Sequence, residues 1–403
     1  MNDFAGAHDA LFQDLMPFRI RDILLVSSPY DLYILEEDGL LGESLDLEYL
    51  QLNLSAAPRI TRVSTGEEAL ETLSRRPFDL VITMSRLGEM DVRRFGRAVK
   101  VAYPEIPLVL LGISAPEAAR LKEAGPDRSF DQVFIWRGDV RLFLAIIKYI
   151  EDQKNAGHDI ECAGVRAIIL IENSARFYSS YLPLIYTELM RQNQIVMTDG
   201  VNAMQRMRRM RARPKILLAE TFEEGWALFE KYRTSLLGVI TDARFPREGR
   251  SDPEAGLEFV RRLKDVDPEM PTLVQSTESG VAGRAAALGA AFINKRSPRL
   301  LEEVRGFIQH SLGFGDFVFV LPDGTEVDRV HDLAAMPEAL ERVPEASLRY
   351  HAARNHFSNW CMARTEFALA ERLRPVKVSH FQTIDELRGY LIDAFSQRGA
   401  ESG

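Results

Sequence analysis

Two stretches of this 403-residue chain follow one plan, and that repetition limits the fold more than any other feature. RITRVSTGEEALETLSRRPFDLVITM begins at Arg59, and KILLAETFEEGWALFEKYRTSLLGVITD begins at Lys215. Each reads as an apolar strand, then Thr-x-Glu-Glu opening an amphipathic helix, then a second strand ending Val-Ile-Thr. The threonine suits an N-cap, and the glutamates suit a first turn where the helix dipole favours negative charge. The correspondence extends in both directions. Upstream, Ile23–Val26 matches Ile168–Ile171; downstream, Pro107–Leu111 matches Pro271–Gln275, and Phe134–Trp136 matches Phe292–Asn294. The apolar runs are continuous, as in strands buried on both faces. Five strands alternating with helices in each repeat predict two parallel sheets, each covered by helices.

The remaining composition narrows the function. Apolar residues make up 46% and charged residues 27%, ordinary globular proportions. The net charge of −9 opposes broad nucleic-acid binding, which needs a basic footprint. Cys162 and Cys361 are far apart and outside any Cys-x-x-Cys spacing, which excludes a disulfide framework or Cys-rich zinc module and fits a reducing compartment. The first residues lack a basic segment followed by an apolar core, so no signal peptide is expected. The longest apolar runs fall far short of the ~20 residues of a spanning helix. A cytoplasmic chain without membrane contact is therefore expected. A basic segment in the second repeat, Asn202–Lys215, spaces Met204, Met207 and Met210 as on a helix. It reads as a packed methionine stripe with a solvated arginine face rather than an anion or nucleic-acid patch.

In open α/β sheets, ligands bind beyond the carboxyl ends of the strands at the point where strand order reverses. In the second repeat the residues there are Glu172 and Asn173, Asp242, Ser276 and Lys295. Two carboxylates, an amide, a hydroxyl and an ammonium in one crevice suit Mg²⁺ with a phosphoryl group. This set resembles the receiver domain of two-component response regulators. Asp242 is followed four residues on by Pro246, Ala255–Val260 looks like the family's opening of the next helix, and Phe292 stands three residues before Lys295.

The resemblance implies a role for each residue. Asp242 is the phosphoacceptor, a carboxylate nucleophile toward phosphohistidine. Mg²⁺ is held by Asp242, Glu172 and Asn173; Lys295 and Ser276 contact phosphoryl oxygens; Phe292 is the switch aromatic. Asn173 departs from the family's second carboxylate and predicts weaker Mg²⁺ binding. The loop Phe245–Glu254 is longer than usual, and Arg244 stands beside the acceptor.

The first repeat has Ser27 and Ser28 for the acidic pair, Met84 for the acceptor, Gly112 for the hydroxyl and Arg137 for the lysine. A thioether is neither a hard Mg²⁺ ligand nor a nucleophile here, and no carboxylate is expected to remain at these positions to hold the ion. This repeat reads as a degenerate receiver used for packing, dimerisation or partner binding.

Beyond Gly313 the pattern changes to a hairpin, Phe317–Val320 with Thr325–Val327. One helix is then expected from about Pro344 to Leu373, an extended Val376–Val378, and a last helix opened by Thr383. His351 and His356 lie five apart, which is not the spacing of zinc ligands on one helix face. His356 is the candidate for a phosphotransfer histidine, although ordinary packing is the better reading. The stretch from Gly315 through RNHFSNWCMARTEF to RLRPVKVSHF is similar to the regulatory front end of pyruvate phosphate dikinase or phosphoenolpyruvate synthase-like proteins.

The expected fold is α/β, with two flavodoxin-like (βα)5 receiver domains and a smaller, mostly helical C-terminal domain carrying a β-hairpin. The expected boundaries are 18–153, 162–312 and 313–397. The expected function is a phosphorelay response regulator, not an enzyme beyond its own phosphoryl transfer. A histidine kinase or phosphotransfer protein acts upstream and a protein effector downstream, with homodimerisation open. The alternative is the regulatory or docking region of a phosphoenolpyruvate synthase-like enzyme.

Overall fold

The computed structural model describes residues 14–37, 39–54, 56–123, 129–196, 212–364 and 366–397. Residues 202–211, and with them Met204, Met207 and Met210, lie outside the described residues. The chain divides into two compact units. One comprises Asp14–His158 and Glu172–Thr187, the other Asp159–Ile171 and the chain from Glu188 onward.

The first unit begins with β1 (Asp22–Val26), α1 (Pro29–Leu35), α2 (Leu41–Gln51), β2 (Arg59–Val63), α3 (Gly66–Arg75) and β3 (Leu80–Met84). It continues with α4 (Val92–Ala102), β4 (Leu108–Gly112), α5 (Ala115–Glu123), β5 (Gln132–Ile135) and the long α6 (Arg141–Ala163). The sheet is parallel in the order β2-β1-β3-β4-β5. β3 and β4 are buried at every residue, which is why their sequences show no polar alternation. Leu24, Val81, Leu110, Phe95 and Val99 close one face into a core. The chain before β1 is tied to α6: Phe18 N donates to Asn155 Oδ1 at 2.9 Å, and Asn155 Nδ2 donates back to Phe18 O at 2.7 Å.

Next come β6 (Ala167–Ile171) and α7 (Ala175–Val196). The beginning of α7 belongs to the first unit. Tyr178 donates its hydroxyl proton to Val133 O, Ile135 N donates to Ser179 Oγ at 3.0 Å, and Tyr186 donates to Asp152 Oδ2 at 2.8 Å. The opening helix of the second repeat thus covers the β5 edge of the first sheet.

The second repeat continues with β7 (Lys215–Ala219), α8 (Phe222–Tyr232), β8 (Leu236–Asp242), β9 (Phe245–Arg247), β10 (Arg250–Asp252) and α9 (Ala255–Val266). β11 (Thr272–Ser276), α10 (Val281–Ala287), β12 (Ala291–Asn294) and α11 (Leu300–Gly306) complete it. Its sheet order, β12-β11-β8-β6-β7, is the first sheet's order read from the other edge. Both are therefore flavodoxin-like sheets with the reversal between the first and third strands. The repeated cap is the same at atomic level. Thr65 Oγ1 accepts from Glu68 N at 3.2 Å and Thr221 Oγ1 from Glu224 N at 3.2 Å, while both glutamates reach back to the residue before the threonine.

The C-terminal segment has β13 (Phe317–Val320) antiparallel to β14 (Glu326–Val330), then α12 (Met336–Arg342). The single helix expected to Leu373 is instead three: α13 (Glu345–Ala353), α14 (His356–Ala363) and α15 (Phe367–Leu373). The first break is at Asn355, in the left-handed region at φ 55°, a conformation asparagine tolerates better than most residues. Val376–Val378 is not a strand; a 3₁₀ turn covers Val378–His380. The last helix, α16 (Ile384–Ser396), starts at a Thr383–Glu386 capping box as expected. Trp360 Nε1 and Arg364 Nη2 both donate to Gly315 O, and Arg364 Nη1 donates to Gly313 O at 2.8 Å. These bonds pin the turn that leaves the second sheet.

Candidate functional site

The site is built at the carboxyl ends of the second sheet. β8 runs buried from Leu236 and delivers Asp242 at its last residue. Lys295 follows β12 directly, and its backbone N donates to Ser276 O at 2.9 Å. Its Nζ lies 2.7 Å from Asp242 Oδ2, with the two side chains only 2% and 14% exposed. An ammonium and a carboxylate at that distance and burial form a strong pair, because water screens them poorly. Asp242 Oδ1 accepts from Ala243 N at 2.7 Å, which fixes the carboxylate plane. Ser276 ends β11, the strand between β8 and β12, and its Oγ accepts from Glu278 N at 3.1 Å. Gln275 pairs with Asp242 in the sheet register, so Ser276 lies one step beyond it.

Glu172 and Asn173 are the two residues that follow β6. β6 pairs with β8 such that Ile171 is opposite Thr241, one residue before Asp242. Glu172 is buried, and its Oε1 accepts from Ser174 N at 3.0 Å. Phe292 is partly buried and packs on the cluster of Ala243, Leu257, Val260, Val274, Val281, Ala285 and Ala290. The donors are hard oxygens, the set that suits Mg²⁺ with retained waters. Among the described residues no three His, Cys, Asp or Glu side chains converge as a metal cluster, so any ion here relies on amide, backbone or water oxygens as well.

Two sequence features find their reason in this geometry. Gly256 opens α9 so close to β8 that a Cβ there would overlap the Asp242 carbonyl oxygen and stand 2.7 Å from Ala243 Cα. The long loop after Arg244 is a hairpin, β9 with β10, turned by Glu248 and Gly249 at φ 52° and 73°. It is anchored on α8, where Glu248 N donates to Glu223 Oε1 at 2.9 Å and Arg247 lies over the Phe222 ring. Arg244 itself pairs with Glu278 at 2.9 Å, and both side chains are more than half exposed.

In the first unit, Met84 is fully buried at the end of β3, Ser27 is buried and Arg137 is exposed. Ser28 caps α1, accepting from Asp31 N at 3.1 Å and donating to Asp31 Oδ2 at 3.0 Å. A carboxylate lies close to Ser28. Asp31 is fully buried beside Ser28, with Arg86 3.8 Å from its Oδ1. It sits in the first turn of the helix instead of at a strand end. Gly112 ends β4, where its Cβ position would meet the Ala118 side chain at 3.5 Å. Trp136 and Arg137 line a cleft of ≈ 490 Å³ with Ile34, Leu41 and Ile113; Met84 is not among its lining residues.

His351 and His356, five apart in sequence, are brought together by the break at Asn355. Their Nδ1 atoms are 2.9 Å apart, and Val320 N donates to His351 Nε2 at 2.9 Å. That acceptor role leaves the proton of a neutral His351 on Nδ1, from which it donates to His356. Burial pushes both imidazoles down, His351 to about 3 with His356 and Arg354 adding to the shift, and His356 to about 4 with Arg354 adding. The pair packs tilted or edge-on against Phe317, Phe319 and Tyr350.

Comparison with known proteins places this geometry in context. No family model matches the chain, and no curated protein matches it. A signal receiver domain of an HD domain-containing protein from Pseudomonas fluorescens Pf-5 is similar at 20% identity over 36% of this chain and 99% of that one, with a TM-score of 0.25. A two-component system response regulator/GGDEF domain protein is similar at 15% identity over 72% of this chain and 98% of that one, with a TM-score of 0.31. A second structure of that description matches at 16% identity over the same shares, with a TM-score of 0.29. The expectation that the chain is not an enzyme stands against these two response regulator/GGDEF descriptions and is withdrawn, while the likeness itself assigns the chain no activity. No helix among the described residues is long and apolar enough to cross a membrane.

Proposed function

We propose that the chain is a two-component response regulator whose second receiver accepts a phosphoryl group on Asp242 with Mg²⁺. The observation that carries this reading is the buried Lys295–Asp242 pair at 2.7 Å, at the reversal point of a flavodoxin-like sheet. A carboxylate held beside an ammonium is suited to oxyanion chemistry. An Asp242 oxygen attacks phosphorus, a P–O bond forms and the donor's P–N bond breaks, its electron pair leaving with an imidazole that departs neutral because its other ring nitrogen already carries a proton. Lys295, already beside the attacked position, holds one phosphoryl oxygen, and the Ser276 hydroxyl donates to another once it turns from Glu278 N.

Asp242 with Glu172 and Asn173 are the residues proposed to hold Mg²⁺. The ion supplies positive charge to the phosphoryl oxygens during transfer. Phe292, half-buried beside Val274 and Ala285, is proposed to report the change to a protein effector. The donor is proposed to be a histidine kinase or phosphotransfer protein. The first repeat lacks an acceptor and is proposed to serve packing and partner contact.

Incubation with acetyl phosphate and Mg²⁺ followed by intact-mass measurement tests the reading. The native chain is expected to gain one phosphoryl group, and Asp242→Ala none. No gain in the native chain, under conditions that label a known receiver, refutes it.

A further inference from the structure

The second unit has a cleft at the opposite end of the sheet from Asp242. It measures ≈ 600 Å³ and is lined by Arg166, Arg233, Thr234, Asp267, Glu371 and Arg374. Arg166 immediately precedes β6, and Thr234 lies two residues before β8, which places the cleft at the amino-terminal edge of the strands. Arg374 comes from the turn after α15.

Two guanidiniums converge on a single oxygen here. Arg166 Nη1 donates to Thr234 O at 2.7 Å, and Arg374 Nη1 donates to the same oxygen at 2.9 Å. Arg166 is buried, and burial together with the Arg374 charge lowers its pKa to about 10. Of the carboxylates, Glu371 stands 3.9 Å from Arg166, beyond hydrogen-bond reach, and its side chain is 69% exposed. Three guanidiniums thus face two carboxylates in a chain whose net charge is −9. Like charges held this close repel, and a carbonyl dipole offsets that repulsion only in part. An oxyanion with several oxygens offers each planar fork the acceptors that suit it, in charge-assisted bonds.

We propose that this cleft binds a phosphate ester, with its phosphoryl oxygens held by Arg374 and Arg233 above Arg166. The volume lies within the range of small-molecule sites and exceeds what a bare phosphate fills. The apolar Val266 and Pro375 side of the cleft takes the organic group. This reading does not depend on phosphorylation of Asp242.

The test is calorimetric titration of the full chain with adenosine 5′-monophosphate and, separately, inorganic phosphate. EDTA is present so that no metal assists binding at Asp242. Saturable binding is expected, tighter for the ester than for phosphate and weakening with salt. Arg374→Gln and Arg233→Gln are each expected to weaken it about tenfold or more. Glu371→Gln, at an exposed position, is expected to tighten it severalfold by removing a competing charge. This variant keeps the test decisive should Arg374→Gln fail to fold. Absence of binding to the native chain, or an affinity unchanged by Glu371→Gln and by the arginine variants, overturns the proposal.

Discussion

Replacing Lys295 by Gln leaves Asp242 buried beside a neutral amide and removes the cation that meets the incoming phosphoryl oxygens. Transfer from acetyl phosphate is expected to slow by ~10²-fold or more, with the fold intact by circular dichroism. A rate within a few-fold of native would mean that the 2.7 Å pair is structural only. Gly256 tests the backbone around the same carboxylate. Gly256→Ala forces its new Cβ into the Asp242 carbonyl, and a loss of ~2 kcal/mol or more in chemical denaturation is expected. The meeting of Asp242 with Lys295 was legible in the sequence, because strand ends can be located from apolar runs and the topology then brings the next residues together. Asp31 was not, since it meets Ser28 from a helical turn instead of a strand end.

Elements were legible where local signals are strong and ambiguous where one residue decides. The Thr-x-Glu-Glu repeats announced α3 and α8 because the cap and the dipole act within a single turn. The helix break at Asn355 left no such mark: the apolar spacing continues across it, and only the left-handed backbone brings His351 onto His356. That contact has a pH consequence. Each imidazole binds its proton near pH 6.5 when unfolded but only near 3 to 4 when folded, so the unfolded state gains protons first on acidification. The stabilisation is fully present above pH 6.5 and is lost as pH falls toward 4, by up to ~1.4 kcal/mol per pH unit for each histidine. Urea midpoints at pH 7 and pH 5 should differ more in the native chain than in His356→Asn. Equal differences would assign the acid sensitivity to other groups.

For the whole molecule, the repetition set two sheets of one topology, and the residues that differ between them divide the chemistry. The second unit also carries an ion pair that strand patterns do not disclose: Lys215, opening β7, meets Asp159 of α6 at 2.7 Å with both side chains fully buried. Lys215→Met alone leaves Asp159 charged and buried, and should cost about 3–5 kcal/mol in global unfolding. Adding Asp159→Leu should recover much of that loss. No recovery would mean the carboxylate has other partners that matter more.

The central claim is that phosphoryl chemistry belongs to one carboxylate in the second sheet. Its most direct measurement is borohydride trapping after acetyl phosphate treatment, which reduces an acyl phosphate to an alcohol, followed by peptide mapping. The account predicts a homoserine product at position 242 and at no carboxylate of the first unit, Asp31 included. Label at Asp31 or elsewhere with position 242 unmodified would contradict it.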